Sequence, residues 1–225
     1  MGINLPRCVL VLGGSYDPVH LGHVALACCF ADLLQADELR LVPAGQPWQK
    51  SGLTASAEHR IRMLELAFTG LPELAGVRLV IDQQEIQRAL NRQASYSIDT
   101  LRNLRAEFGA ETSIVFAMGA DQLQNLHTWH DWRQLFEVAH LCAASRPGFS
   151  LDAVAPEVAQ IWQQRAKPAP ELRATPFGGT CLVKDLAQDV SATQLRQELK
   201  QQHPTTKLLV PHKVLDYLQQ HSIYQ

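Results

Sequence analysis

The chain lacks a dominant charge: 20 lysines and arginines stand against 22 aspartates and glutamates, a formal net charge of -2 at pH 7. That balance excludes a global field recruiting nucleic acid or an anionic membrane, so any anion must be bound by a few placed residues. Long apolar runs are missing too. The first, Cys8-Val9-Leu10-Val11-Leu12, is short, and no later run approaches membrane-spanning length. With one arginine and Pro6 before that run, no signal peptide is expected. The five cysteines (Cys8, Cys28, Cys29, Cys142 and Cys181) contain no C-x-x-C and are odd in number. They read as buried free thiols in a reducing cytoplasm rather than as a disulfide framework. Internal repeats and low-complexity tracts are absent, and 46% hydrophobic residues with 19% charged exclude disorder.

What is present is an alternation of strand-like and helix-like patterns. Residues 8–12 read as a short buried strand, Leu21–Leu34 carries apolar residues at helical spacing, and residues 39–43 form a second strand. A charged helix over Ala57–Phe68 precedes a third strand at 77–81. Ser97–Phe108 is predicted helical, capped by Ser95 or Ser97 and stopped by Gly109. Residues 112–118, ended by Gly119, and 138–144, ended by Pro147-Gly148, are further strands. Such alternation implies right-handed βαβ crossovers. The expected class is α/β, a doubly wound, mostly parallel sheet with helices on both faces and a small helical C-terminal part. A single domain is expected over 1–225, with its main part at 1–166 and a C-terminal strand and helices at 180–225. The stretch 167–180, rich in proline and glycine, reads as a loop between them. Ligands of such sheets bind beyond the carboxyl ends of the strands. The turn after the first strand, residues 43–50, Gly119-Ala120-Asp121 and Arg146-Pro147-Gly148 should therefore gather on one edge.

The most chemically loaded stretch is Gly13-Gly14-Ser15-Tyr16-Asp17-Pro18-Val19-His20-Leu21-Gly22-His23. A glycine pair closing a strand, followed by a helix start, lets backbone N–H groups cradle phosphates. His20 and His23 lie on one face of the opening turn, with Gly22 leaving room between them. The same pair could begin a metal site, but no third ligand stands nearby. Far along the chain, Ser191 is a good N-cap, Thr193 adds a hydroxyl, and Arg196 lies a turn further on with a bidentate fork. Alone, that pattern usually caps and solvates a helix; paired with the first motif it points to phosphate. His127 and His130 repeat the histidine spacing without the glycine turn, and no metal role follows. Trp132 reads as core, and Glu58, Arg60, Arg62 and Glu65 read as a solvated helix face. Asp121 is either a helix cap or a ribose contact, and Lys50 either a solvated loop charge or an acceptor contact.

The first stretch resembles the signature of the nucleotidyltransferase superfamily, G-[GT]-[TS]-F-D-P-x-H-x-G-H. Residues 191–196, Ser-Ala-Thr-Gln-Leu-Arg, resemble its second phosphate motif, S-x-T-x-[IL]-R. The segments between narrow the resemblance to the bacterial nicotinate-nucleotide adenylyltransferases. Residues 42–50 resemble that family's proline-rich loop, 94–101 its P-S-Y-T-x-x-T-L segment, and 118–121 its I-G-x-D. Residues 128–132 resemble its T-W segment, 145–148 its R-[RP]-P-G turn, and Leu209-Val210-Pro211 with Val214, Tyr217, Ile223 and Tyr224 its tail. Departures are Ser15 and Tyr16 for Thr and Phe, Trp48 and Gln49 for Pro and His, and Ala94 and Ser97 for Pro and Thr. Gln49 removes an imidazole from the loop.

The resemblance implies a Rossmann-like cytoplasmic enzyme of NAD biosynthesis. It would transfer AMP from ATP, with Mg2+, to nicotinate mononucleotide, giving deamido-NAD and pyrophosphate. No nucleic-acid or membrane partner is implied, and a homo-oligomer is compatible with it. The nucleophile is a phosphate oxygen already ionised near neutral pH, since the second pKa of a phosphate monoester is about 6. No general base is needed, and catalysis reduces to in-line positioning and stabilisation of charge. The resemblance assigns His20, His23 and Arg196 to catalysis. Gly13, Gly14, Ser15, Asp121, Arg146, Ser191 and Thr193 join those three in holding ATP. Ser97, Trp129, His130 and Lys50 hold the acceptor, with Trp129 stacked on the nicotinate ring and no protein-held metal. Two readings stay open beside this one: a sister transferase for nicotinamide mononucleotide or another phosphorylated acceptor, and a non-catalytic nucleotide-binding module. A class I aminoacyl-tRNA synthetase fragment would need a lysine-rich loop and a tRNA-binding region, and neither is found.

Overall fold

Six strands line up in one sheet: β1 (Cys8–Gly14), β2 (Glu38–Pro43), β3 (Arg78–Ile81), β4 (Ser113–Gly119), β5 (His140–Ala144) and β6 (Thr180–Val183). The computed structural model describes residues 6–45, 53–184, 186, 190, 192–201, 206 and 208–224. Among them the strand order is β3-β2-β1-β4-β5-β6, and every pairing is parallel. The order reverses between β1 and β4, where an open α/β sheet leaves a crevice for a ligand. Side-chain alternation explains the two covered faces. Leu10 and Leu12 pack with Phe30, Leu41, Met63 and Leu215, whereas Val9 and Val11 pack with Ile98, Leu101, Phe116 and Trp132.

The first face is covered by α1 (Leu21–Leu34), α2 (Ala57–Phe68), α6 (Ala169–Ala174), α7 (Ala192–Lys200) and α8 (His212–Gln220). The second is covered by α4 (Ser97–Phe108), α5 (Pro156–Gln164) and two 3-10 segments, Ala120–Thr128 and Trp132–Glu137. The remaining helix, α3 (Gln84–Leu90), follows β3 and contributes Ile86 to the interior. Trp132 is buried, as expected of a core residue.

Three local expectations differ from the structure. The stretch 167–180 is not a plain loop: α6 forms inside it, with Pro168 at the cap and Pro170 in the first turn. Proline is tolerated there because those N–H groups have no intrahelical partner. Helix α4 is capped by neither Ser95 nor Ser97. Tyr96 occupies the cap position in extended conformation, and Ser97 is the first helical residue. Arg60 is not part of a solvated face but 1% exposed, whereas Arg62 pairs with Glu65 on the outside of the same helix. All five cysteines are free; Cys8 and Cys142 are buried, and the other three are half-buried.

His140, at the start of β5, is wholly buried and held from both sides of its ring. Its Nε2 donates to the Thr175 carbonyl at 2.7 Å, and the Gly179 N–H donates to Nδ1 at 2.9 Å. That geometry requires the neutral imidazole, because a proton on Nδ1 would meet the Gly179 N–H. Burial pushes the His140 pKa below its ordinary 6.5, and the charges of Lys167 and Arg105 push the same way. The folded pKa is therefore depressed. Below about pH 6.5 the unfolded chain takes up a proton that the folded chain refuses, so stability falls with falling pH until the folded pKa is passed. The slope from this one group is at most about 1.4 kcal/mol per pH unit. Urea titrations at pH 7.5 and 5.5 should show a smaller loss in His140→Gln than in the wild type. Equal losses would remove His140 from the acid sensitivity.

Candidate functional site

The glycine-histidine stretch leaves β1 and enters α1 at the reversal point of the sheet. Tyr16 adopts a positive φ of 51° and turns its ring beneath the turn, where its hydroxyl donates to the Leu12 carbonyl at 2.6 Å. A Cβ on Gly14 would lie 3.3 Å from that ring, and one on Gly13 would lie 3.3 Å from Phe116 of β4. The two glycines thus let aromatic rings support the turn from below while its upper side stays backbone. His20 sits at the cap position of α1, extended at φ -138°, ψ 167°. Its ring stacks on His23 with centroids 3.7 Å apart. The His20 N–H donates to His23 Nδ1 at 3.2 Å. Because Nδ1 accepts, His23 carries its proton on Nε2 and is a donor there. His20 is only 7% exposed.

The second motif folds onto the first. Arg196 of α7 donates through Nη1 to the Asp17 carbonyl at 2.6 Å and through Nη2 to Thr193 Oγ1 at 3.3 Å. Two segments almost the whole chain apart are thereby brought into one site beside the start of α1. Ser191, the proposed cap of that helix, lies outside the described residues, as do Trp48, Gln49 and Lys50.

Beneath the turn lies a polar arrangement that sequence reasoning assigned no role. The buried Asp17 carboxylate accepts from the Thr54 N–H at 2.8 Å, the Ala55 N–H at 2.9 Å and the Tyr224 hydroxyl. Burial first, and then the Asp17 carboxylate, hold the Tyr224 hydroxyl far above the usual tyrosine range, so Tyr224 acts as the donor. Arg60 Nη1 donates to the Ser15 carbonyl at 3.0 Å and to the Ala44 carbonyl at 2.7 Å. Burial pulls the Arg60 pKa down, opposed by the neighbouring Asp17 charge. The signal for Arg60 was available: positions 60, 63, 64 and 67 share one helical stripe, and Met63, Leu64 and Ala67 are apolar.

The acceptor-side candidates gather around α4 and the 3-10 segment that follows β4. His130 stacks on Tyr96, centroids 4.3 Å apart, which sets its ring beside the cap of α4 and next to Ser97. The first N–H groups of a helix have no intrahelical partners, so this end suits an anion. Trp129 packs edge-on against Phe116 at 6.2 Å, the same ring that underlies Gly13. Its Nε1 is buried with no hydrogen-bond partner among the described residues. Helix α3 is joined to α4 by Thr100, which donates to the Glu85 carboxylate at 2.8 Å and accepts from Arg88 at 2.9 Å. Burial raises the Glu85 pKa. On the other flank Asp121 and Arg146, from the ends of β4 and β5, stand 4.0 Å apart as an ion pair.

Of the predicted site residues that are described, the phosphate-side ones and Ser97 therefore sit at or just past the carboxyl end of a strand or in the opening turns of a helix. Trp129 and His130 lie instead at the far end of the 3-10 segment that follows β4. Among the described residues no helix is long and apolar enough to cross a membrane. A family model described as cytidylyltransferase-like matches residues 11–198. A protein of Herminiimonas arsenicoxydans named "Probable nicotinate-nucleotide adenylyltransferase" is 50% identical over 225 residues, 99% of this chain and 99% of its own. A protein of the same name from Chromobacterium violaceum is 42% identical over 219 residues, 96% of this chain and 97% of its own. The fold matches that of the Plasmodium falciparum nicotinic acid mononucleotide adenylyltransferase complexed with NaAD. That match has a TM-score of 0.73 and covers 97% of each chain at 15% identity. With full-length relatives this similar and a family model spanning both phosphate motifs, the chain belongs to the nicotinate-nucleotide adenylyltransferases within the cytidylyltransferase-like nucleotidyltransferases.

Proposed function

We propose that this enzyme transfers AMP from ATP to nicotinate mononucleotide, releasing pyrophosphate, with its described site residues in the following roles. The observation that carries the reading is the junction of the two phosphate motifs, Arg196 bridging the Asp17 carbonyl and Thr193 beside the stacked His20 and His23. Gly13, Gly14 and Ser15 give the triphosphate close backbone approach. His20 and His23 donate to the oxygens on which charge builds, and Arg196 and Thr193 hold the leaving pyrophosphate. The acceptor phosphate attacks in line without a base, because it is already an anion. Asp121 and Arg146 flank the adenosine.

Magnesium fits this site as a companion of ATP rather than as a protein-held ion. The carboxylate within the turn, Asp17, already accepts from two N–H groups and a hydroxyl. Among the described residues no group of three or more His, Cys, Asp or Glu side chains could hold a metal ion. Mg2+ keeps its waters and binds phosphate oxygens readily, so the triphosphate itself supplies its ligands. It would neutralise phosphate charge there.

Selectivity for the acid follows from the acceptor end. A carboxylate is rewarded by donors alone, here the open N–H groups of α4 around Ser97 and the His130 ring, whereas a carboxamide also needs an acceptor. ATP and Mg2+ supplied with each mononucleotide separately should give pyrophosphate, with kcat/KM of order 100-fold higher for nicotinate mononucleotide. Equal or greater efficiency with nicotinamide mononucleotide would favour the sister activity. No pyrophosphate with any phosphorylated acceptor, despite ATP binding, would favour a non-catalytic module.

A further inference from the structure

The buried guanidinium of Arg60 lies between two strand exits. One forms the proposed phosphate turn, and the other packs through Gly45 on α3, whose Glu85 accepts from Thr100 of α4, the helix at the proposed acceptor end. Its Nη1 donates to the Ser15 carbonyl, at the exit of β1, and to the Ala44 carbonyl, at the exit of β2. The Ala44 N–H meanwhile donates to the Gly14 carbonyl at 2.8 Å, so both polar groups of Ala44 are tied to the phosphate turn. The next residue is held from the other side: a Cβ on Gly45 would come within 2.0 Å of the Glu85 carbonyl, so only glycine lets α3 approach there. Asp17 of the same turn holds Thr54 and Ala55 by their N–H groups. The chain therefore leaves β2 fixed to the turn by Arg60 and approaches α2 fixed to the turn by Asp17.

A guanidinium at this position is costly. It is 1% exposed, its Nε is buried with no hydrogen-bond partner among the described residues, and its ordinary pKa is lowered by burial. A methionine of similar length would pack the same stripe of α2, beside Met63 and Leu64, with no charge to desolvate. Stability of the helix does not explain an arginine here. The two carbonyls do. One nitrogen with two hydrogens spans them, and each belongs to a segment that a two-substrate reaction must keep in register.

We infer that Arg60 is a positioning residue for adenylyl transfer: with Asp17 it clamps the acceptor-side exit of β2 to the ATP-side turn, fixing the acceptor phosphate in line with the α-phosphate. It touches neither substrate. The inference rests on the proposed reading of Ser15 as an ATP contact and of the start of α4, which α3 ties to the exit of β2, as the acceptor end. Its consequence is a division between binding and turnover. Each substrate alone contacts one side of the clamp and binds without it, whereas the transition state requires both sides in register.

The test compares Arg60→Met and Arg60→Lys with Arg62→Met, a change on the exposed face of the same helix. Circular dichroism and melting select variants folded at the assay temperature. Titration calorimetry then measures Kd for ATP-Mg2+ alone and for nicotinate mononucleotide alone, and pyrophosphate release with both saturating gives kcat. Arg60→Met should lose about 100-fold in kcat, while both single-substrate Kd values stay within about threefold. Arg60→Lys, with a charge but no planar fork, should lose about tenfold, and Arg62→Met nothing. A folded Arg60→Met with kcat within threefold of the wild type overturns the clamp. So does a loss of single-substrate affinity as large as the loss of kcat, which marks mere scaffolding. Should Arg60→Met not fold, Arg60→Lys decides: a loss above threefold at unchanged Kd supports the clamp, and a smaller one overturns it. A wild type that releases no pyrophosphate from ATP and nicotinate mononucleotide refutes the reading of function before any variant is compared.

Discussion

His20→Ala is expected to lower kcat by roughly two to three orders of magnitude, the usual cost of removing one preorganised donor from a site of developing charge. The fold should survive. His20 stands at the cap of α1, where its backbone carbonyl accepts from the N–H groups of His23 and Val24, and alanine keeps both bonds. What is lost is a ring stacked on His23 with 3.7 Å between centroids, at the mouth of the phosphate turn. The effect should fall on kcat more than on ATP affinity. Gly13, Gly14, Ser15, Thr193 and Arg196 remain to bind the ground-state triphosphate, and an interaction made chiefly in the transition state costs rate rather than binding. Steady-state kinetics with ATP titration of the folded variant separates the two. Near-normal turnover would remove His20 from the chemistry. His20→Asn, which keeps a side-chain donor, should recover part of the loss.

How much of this was legible in the sequence depended on whether one segment or several determined the answer. The helices Leu21–Leu34, Ala57–Phe68 and Ser97–Phe108 were readable, because apolar residues recur at helical spacing in each and Gly109 stops the last, although the cap of that last helix was not. Helix α6 was not, because proline counts suggest a loop unless it is noticed that both prolines fall where a helix has no N–H to lose. At the site, the phosphate turn and its distant partner were legible as motifs. Their contact, Arg196 on the Asp17 carbonyl, spans 179 residues of sequence separation, and only the fold creates it. Asp17 was visible inside the first motif without a role, since its partners Thr54, Ala55 and Tyr224 come from elsewhere in the chain. Arg60 was misassigned because charge was read before periodicity. Its position on the stripe of Met63, Leu64 and Ala67 placed it inside, and an arginine inside must have carbonyl or carboxylate partners to justify its charge.

Trp129→Ala should raise the KM for nicotinate mononucleotide by roughly 10- to 100-fold, matching about 1–3 kcal/mol for a base stacked on an aromatic ring. The indole is braced for such a contact. It rests edge-on against Phe116, which is fixed under Gly13, and it adjoins His130 on Tyr96. Its position is therefore set by the core rather than by the ligand, and no ordering cost falls on binding. The nicotinate ring is remote from the reacting phosphate, so stacking is equal in the ground and transition states. Uniform binding of that kind moves KM and leaves kcat near the wild-type value. The KM for ATP should change less than about threefold. Trp129→Phe, which keeps a ring face, should recover most of the affinity. Stacking also does not distinguish an acid from an amide, so the preference for nicotinate over nicotinamide mononucleotide should persist in Trp129→Ala while both acceptors weaken together. An effect confined to ATP would place Trp129 on the donor side. A collapse of the acid preference alone would transfer carboxylate recognition to the indole N–H, the buried donor that has no partner among the described residues.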